Sequence, residues 1–267
     1  MDITKLKMID VGATADLYDL GNGRVFKCFH HDKPDISIDN EYECTKKIQY
    51  FHLGAPIVFE RITNKNERGF VMEYIHGENM LMKILNLGTD FEELITLWAN
   101  LHFKVNSIHT TSFDSAHKVL SWRIQNSQSL SDSQKSNVLH LLHSLPKDDC
   151  LCHTDLHPGN ILLTTKGAHI IDWCDVMVSS KWCDVARTML LFEQIDIPHN
   201  LDRKSVEIFF HQGKEIFINE YTKLAGSSKE ELSGWMAVLA AVRMDNESEG
   251  TRIAYQMIIE NGLLSNK

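Results

Sequence analysis

CLCHTDLHPGNILLTTKGAHIID, residues 150–172, is the stretch whose reading decides the fold. Asp155 and Asn160 stand five positions apart, and Asp172 follows twelve later. Ile161-Leu162-Leu163 and His169-Ile170-Ile171 read as two short strands, and Thr165-Lys166-Gly167 reads as the turn between them. A hairpin returns Asp172 close to Asn160 and leaves Asp155 on the loop ahead of the first strand. Two oxygen ligands and a separate carboxylate then converge. That suits phosphoryl transfer from a nucleotide, because magnesium takes hard oxygen donors and an acceptor hydroxyl needs a proton acceptor beside it. The competing reading gathers Cys150, Cys152, His153, His157, Cys174 and Cys183 into a zinc site. Cys-x-Cys-His is not a common structural spacing, and no second Cys-x-x-Cys pair exists. A plain loop-capping role is the alternative for Asp155.

His153-Thr154-Asp155-Leu156-His157-Pro158-Gly159-Asn160, followed by Ile171-Asp172-Trp173, resembles the aminoglycoside phosphotransferase and choline kinase family of small-molecule kinases. The protein-kinase form of the loop is H-R-D-x-x-x-x-N followed by D-F-G. This chain keeps the His, Asp and Asn spacing but has Asp172-Trp173-Cys174 in the second position, which favours the small-molecule branch. The resemblance implies an α+β, protein-kinase-like two-lobe fold. A small N-terminal lobe, residues 1–77, would hold a five-stranded antiparallel sheet with one helix and bind nucleotide. A larger, mostly helical C-terminal lobe, residues 78–267, would carry catalysis and the acceptor.

Composition sets outer bounds. The 267 residues are 43% hydrophobic, ordinary for a chain with a sizeable core. A formal charge of −9 argues against a nucleic-acid partner. The opening MDITKLKMID has no apolar h-region, and no run of about 18 apolar residues occurs, so neither a secretory signal nor a membrane partner is expected. Six cysteines without a dense framework fit reduced thiols in a cytoplasm.

From the start, Lys7–Val11, Asp16–Leu20 and Arg24–Phe29 read as antiparallel strands, with Gly21-Asn22-Gly23 turning the second hairpin. In the resembling family the first connection, which contains Gly12 and Thr14, lies over the nucleotide phosphates. G-x-G-x-x-G is absent here, and so is a P-loop. Lys27 lies on the third strand between apolar neighbours. Its resemblance to the kinase strand lysine implies a phosphate contact. Asp39–Ile48 reads as the next helix, where Glu41 matches the family's lysine-holding glutamate; Glu43 would point about 200° away. Ile57–Ile62 and Gly69–Ile75 complete the sheet. Met72–Gly77 resembles the family's hinge, where the backbone of Glu73 and Ile75 would hydrogen-bond adenine. Later stripes read as core helices: Leu94, Leu97, Trp98, Leu101, Val105 and Ile108, then Val138, Leu141, Leu142 and Leu145 after a Ser131/Gln134 capping box. His102 and His109 read as structural. A second box, Ser228/Glu231, precedes Trp235, and the last helix is expected from Thr251 to Glu260 with Gly262 as its stop.

The resemblance assigns Asp155 as the proton acceptor, Asn160 and Asp172 as magnesium ligands, and His153 as a residue that orders the loop. Asp184 would accept hydrogen bonds from the loop backbone, with a helix cap as the alternative. Ser179-Ser180-Lys181 stands where the family usually has Gly-Asp-Pro. ATP is the implied co-substrate, with GTP the other option. A protein kinase is disfavoured because only twelve residues separate Asp172 from Asp184, leaving no activation segment. A nucleotide-binding pseudokinase is disfavoured by the intact Lys27, Asp155, Asn160 and Asp172. For the acceptor, a hydroxylated cation such as an aminoglycoside or amino alcohol is set against a neutral sugar or alcohol. It rests on Asp175, Glu193, Asp196, Asp245, Glu247 and Glu249.

Overall fold

The computed structural model describes residues 3–64, 67–193 and 202–265. The chain forms two compact units. The first joins Met1–Met80 to Gly159–Asp175, and the second joins Leu81–Pro158 to Val176–Lys267.

The first unit is built on strands β1 (Lys7–Val11), β2 (Ala15–Gly21), β3 (Arg24–Phe29), β4 (Val58–Thr63) and β5 (Arg68–Glu73), with helix α1 (Asp35–Ile48) between β3 and β4. The sheet is antiparallel with order β1-β2-β3-β5-β4. Gly21, Asn22 and Gly23 all have positive φ, from 52° to 72°, the backbone a tight hairpin needs. Period-two alternation divides the side chains between two faces. Ala15, Phe29, Val58 and Phe70 pack with Ile38 of α1, and Phe26, Cys28 and Val71 form a separate cluster. Helix α1 starts four residues earlier than the sequence suggests, directly after Pro34, whose extended backbone at its N-cap sets the start. Strand β5 stops at Glu73, so residues 74–77 leave the sheet. Short strand β6 (Glu78–Asn79) pairs with the later hairpin, as detailed below.

The second unit holds α2 (Met80–Leu85), α3 (Phe91–Asn106), α4 (Ala116–Asn126), α5 (Asp132–Ser144) and β7 (Cys150–Cys152). Strands β8 (Ile161–Thr164) and β9 (Gly167–Ile170) belong to the first unit. The chain returns with β10 (Met177–Ser179), which pairs antiparallel with β7, and α6 (Lys181–Leu191). Then come α7 (Arg203–Ile208), a π-helical turn at Phe209–Gly213, α8 (Lys214–Ala225), α9 (Leu232–Arg243) and α10 (Glu249–Ser265). Leu94, Trp98 and Val105 of the α3 stripe are buried, whereas Leu97 is exposed. The Ser131/Gln134 capping box forms in both directions. No helix among the described residues is long and apolar enough to cross a membrane.

Two expectations fail here. Glu231 does not cap α9: it sits in helical backbone at the N-cap and accepts a hydrogen bond from Ser180 Oγ at 2.7 Å instead. Gly262 does not stop α10, which runs on to Ser265. It is there for close packing, since a Cβ on it would lie 2.4 Å from Ala237 Cβ and 3.0 Å from Ser233 O. Gly262→Ala therefore sets a helix-propensity gain of about 1 kcal/mol against overpacking of roughly 1–3 kcal/mol. Overpacking wins, because a β-carbon and a backbone oxygen cannot swing aside. The expected result is a Tm lower by a few degrees in thermal denaturation. An unchanged or raised Tm would mean that α9 and α10 part without cost.

Candidate active site

The hairpin β8–β9 pairs Ile161 with Ile170 and Thr164 with Gly167, and β6 adds to its edge. Ile171 N–H donates to Asn160 O at 3.0 Å, which brings the chain next to Asp172 back to Asn160. The hairpin is docked in the first unit by Asn79 Nδ2 on Gly159 O (2.8 Å), His169 Nδ1 on Gly54 O (2.9 Å) and Asn40 Nδ2 on Cys174 O (3.1 Å). Asp172 has φ +65°, a left-handed backbone that Asp tolerates better than most residues.

This docking sets Asp172 against Lys27. Lys27 Nζ lies 2.5 Å from Glu41 Oε1 and 3.4 Å from Asp172 Oδ1. Burial pushes the Lys27 ammonium down, but the charges of Asp172 and Glu41 outweigh it and hold the pKa well above the ordinary lysine value. Glu41 is buried while Glu43 is exposed, so one face of α1 delivers a single carboxylate. Thr14, Lys27, Glu41, Glu73, Ile75, Asn160 and Asp172 all line one cavity of about 740 Å³ within the first unit. Ala15, Val25, Met72, Leu162 and Ile171 give it apolar walls. That size and mixture suit a nucleotide-sized ligand.

The main chain shows which groups remain for such a ligand. Glu73 N–H donates to Ile57 O at 2.7 Å, so the Glu73 backbone has only its carbonyl to offer a ligand. Ile75 N–H makes no hydrogen bond among the described residues. Gly12 N–H donates to Ala15 O at 3.0 Å, leaving that connection to Ala13 and Thr14. Lys33 also lines the cavity; it acts on Glu41 through its charge, but no ion pair at contact distance holds it among the described residues. Sequence reasoning missed it, because nothing in the spacing of a loop lysine marks it.

The second unit grips the loop of residues 153–156 by its backbone. Thr154 N–H and His153 N–H donate to Asp184 Oδ1 (2.6 Å) and Oδ2 (3.2 Å). Asn106 Nδ2 donates to Asp184 Oδ2 (2.8 Å) and to Leu151 O (2.9 Å), and Tyr221 OH donates to Asn106 Oδ1 (2.8 Å). Burial, then the Asp184 charge, pushes the Tyr221 phenol up, so it remains a donor. Trp98 Nε1 and His102 Nε2 both donate to Leu156 O at 2.8 Å. Thr154, β-branched at φ +63°, persists because these bonds over-determine it. Asp184 is fully buried and does not cap α6; Ser180 Oγ does, accepting from Trp182 N–H. His153 is buried, and its Nδ1 accepts from Asp155 N–H at 3.3 Å. Asp155 Oδ1 accepts from Arg187 Nη2–H at 2.7 Å. Sequence reasoning also missed Arg187. Its signal was one charge inside the buried run of α6, three residues after Asp184.

The zinc alternative falls. All six cysteines are free, and among the described residues the one group of metal-like spacing is Glu41, Asp172 and Cys174. That group shares only Cys174 with the zinc reading, and burial, then the Asp172 charge, pushes the Cys174 thiol up. The acceptor carboxylates also thin out. Glu193 pairs with Lys214 (2.6 Å) and Glu247 with Arg243 (3.0 Å), while Asp245 accepts from the backbone of Gln128 and Ser129. Asp196 lies outside the described residues.

The architecture is that of a kinase-like fold, with a five-stranded antiparallel sheet at the N-terminus and a mostly helical larger part. The chain belongs to the phosphotransferase enzyme family, whose profile matches residues 5–225. Among solved structures it is similar to a thermostable mutant of aminoglycoside phosphotransferase APH(4)-Ia in ternary complex with AMP-PNP and hygromycin B. That match has a TM-score of 0.67 at 13% identity, covering 99% of this chain and 95% of that one. It is similar also to the choline kinase LicA from Streptococcus pneumoniae, with a TM-score of 0.61 at 17% identity, covering 98% and 94%. A third is the streptomycin–ATP–APH(2")-IIa ternary complex, with a TM-score of 0.54 at 16% identity, covering 98% and 93%. No curated protein matches the chain by sequence.

Proposed function

We propose that this phosphotransferase moves the γ-phosphoryl group of ATP to a hydroxyl of a small molecule. The observation that carries the reading is the Lys27–Glu41–Asp172 cluster on the wall of a nucleotide-sized cavity. Lys27, held by Glu41, contacts the α/β-phosphates, and adenine sits against the backbone of Glu73 and Ile75. Asn160 and Asp172 present the hard oxygen donors that magnesium takes. Bound there, the ion would neutralise charge on the phosphate oxygens. Asp155 orients the acceptor hydroxyl and takes its proton. The rest of its work is positional, because the transition state is loose and little covalent chemistry falls to the protein. A cytoplasmic setting fits the six unpaired cysteines.

The acceptor class is a hydroxylated cation. Similar folds carry hygromycin B and streptomycin, or belong to a choline kinase. The test is a matched panel of cationic, neutral and anionic alcohols, with ATP and with GTP, followed by ADP release. Cationic alcohols should turn over best. A clear preference for a neutral or anionic acceptor rejects the acceptor class, and silence throughout rejects phosphotransfer.

Lys27→Ala and Glu41→Ala should each lower kcat/KM about tenfold to a hundredfold, and together by much less than the product, with a coupling of roughly 1–3 kcal/mol. Each removal disables one clamp, so the second has little left to remove. Strict multiplication of the two losses would separate the residues functionally.

A further inference from the structure

Arg187 is 5% exposed and projects from α6. One of its N–H groups reaches Asp155, while Nε and Nη1 have no hydrogen-bond partner among the described residues. The charged and titratable groups around it are Asp155, Arg243, Tyr255 and Glu247. Glu247 is bonded to Arg243, so among the described residues Asp155 is the one carboxylate hydrogen-bonded to Arg187. A buried guanidinium with two unsatisfied donors is a poor way to stabilise a helix interface, where an apolar side chain of similar volume commonly does as well or better. Stability therefore does not explain this arginine. Asp155 supplies a reason. Asp184, Trp98 and His102 fix the main chain of the loop, yet none of their bonds touches the Asp155 carboxylate. That side chain is 30% exposed and has two torsions of its own. His157 Nε2 lies 3.8 Å from Oδ2, beyond hydrogen-bond range.

We propose that Arg187 is a positioning residue that fixes the carboxylate of Asp155 through Oδ1, in the orientation that meets the acceptor hydroxyl. This rests on the reading of Asp155 as the proton acceptor. Preorganisation of this kind acts on the rate and not on nucleotide binding.

The experiment compares Arg187→Met, Arg187→Lys, Asp155→Asn and the Arg187→Met/Asp155→Asn double variant. ADP release from magnesium–ATP is followed with water as acceptor and with the best alcohol of the panel. Arg187→Met should lose about 10²-fold in kcat. Its affinity for magnesium–ATP should stay within about twofold, and its Tm should change little, because the Asp155 carboxylate left behind is 30% exposed and can be solvated. Arg187→Lys should recover part of the rate, and Arg187→Met should cost little more once Asp155 is Asn. A purely structural arginine would instead lower Tm and cost the same on either background. Wild-type kcat in Arg187→Met, or an equal loss in both backgrounds, overturns the proposal. So does failure of both single Arg187 variants to fold, which assigns the residue to the scaffold. Wild-type kcat in Asp155→Asn sinks the reading of Asp155 and this inference with it. Loss in Asp155→Asn beside full activity in Arg187→Met sinks this inference alone. A wild-type protein silent with water and with the whole panel rejects both.

Discussion

Asp155→Asn should lower kcat by about 10³-fold, while the Kd for magnesium–ATP should stay within about twofold. The substitution is close to isosteric, and an amide oxygen can still accept from Arg187 Nη2–H, now 2.7 Å from Asp155 Oδ1. Loop backbone, side-chain volume and the arginine contact are therefore kept, and the proton acceptor is what goes. The residues that line the first unit's cavity are the ones expected to set nucleotide affinity, and Asp155 is not among them. Steady-state rates with the panel's best acceptor, together with equilibrium titration of magnesium–ATP, check both halves. Equal losses in rate and affinity would show that Asp155 belongs to nucleotide binding.

Asp172→Asn should behave differently: the Kd for magnesium–ATP should rise about tenfold or more, and kcat should fall about 10²-fold. Asn is the informative replacement because Asp172 has φ +65°, and Asn tolerates that backbone where most side chains add strain. What disappears is one negative oxygen donor, along with one of the two carboxylates facing Lys27. The check is calorimetric titration of ATP with and without magnesium. Weakening confined to the magnesium arm is the expected pattern. Equal weakening in both arms would make Asp172 a partner of Lys27 alone.

Much of the fold was legible in the sequence, because short-range rules carry it. Asn22-Gly23 between alternating runs marks a hairpin, and helical angle sets Glu41 and Glu43 on opposite faces, with the family resemblance picking out Glu41. The Asp155, Asn160 and Asp172 spacing foretold a hairpin that the structure contains. Other features depend on packing between distant segments, which leaves no local period. Residues 159–175 join the first unit through the pairing of β6 with β8, the Lys27–Asp172 contact and single hydrogen bonds from Asn79, His169 and Asn40, and a division drawn at Gly77 along the chain has no place for such a return. Gly262 carries the usual mark of a helix stop, yet it is there because Ala237 lies against it. The acidic residues read as an acceptor wall show the limit of counting charges. Whether Asp245 faces a ligand or two backbone N–H groups is decided by the turn at residues 127–129. Arg187 and Lys33 escaped for the same reason, since a side chain's partner is set by the fold that surrounds it.

Asp184, Trp98 and His102 hold the 153–156 loop by main-chain atoms: two N–H groups taken by Asp184 and one carbonyl taken by Trp98 and His102. Such anchors do not register side-chain identity. Under the proposed function, acceptor contacts could therefore vary at side chains around the loop while these main-chain anchors keep its course. The scaffold would then separate what must stay constant, the place of one carboxylate, from what is open to change, the surface that meets the acceptor.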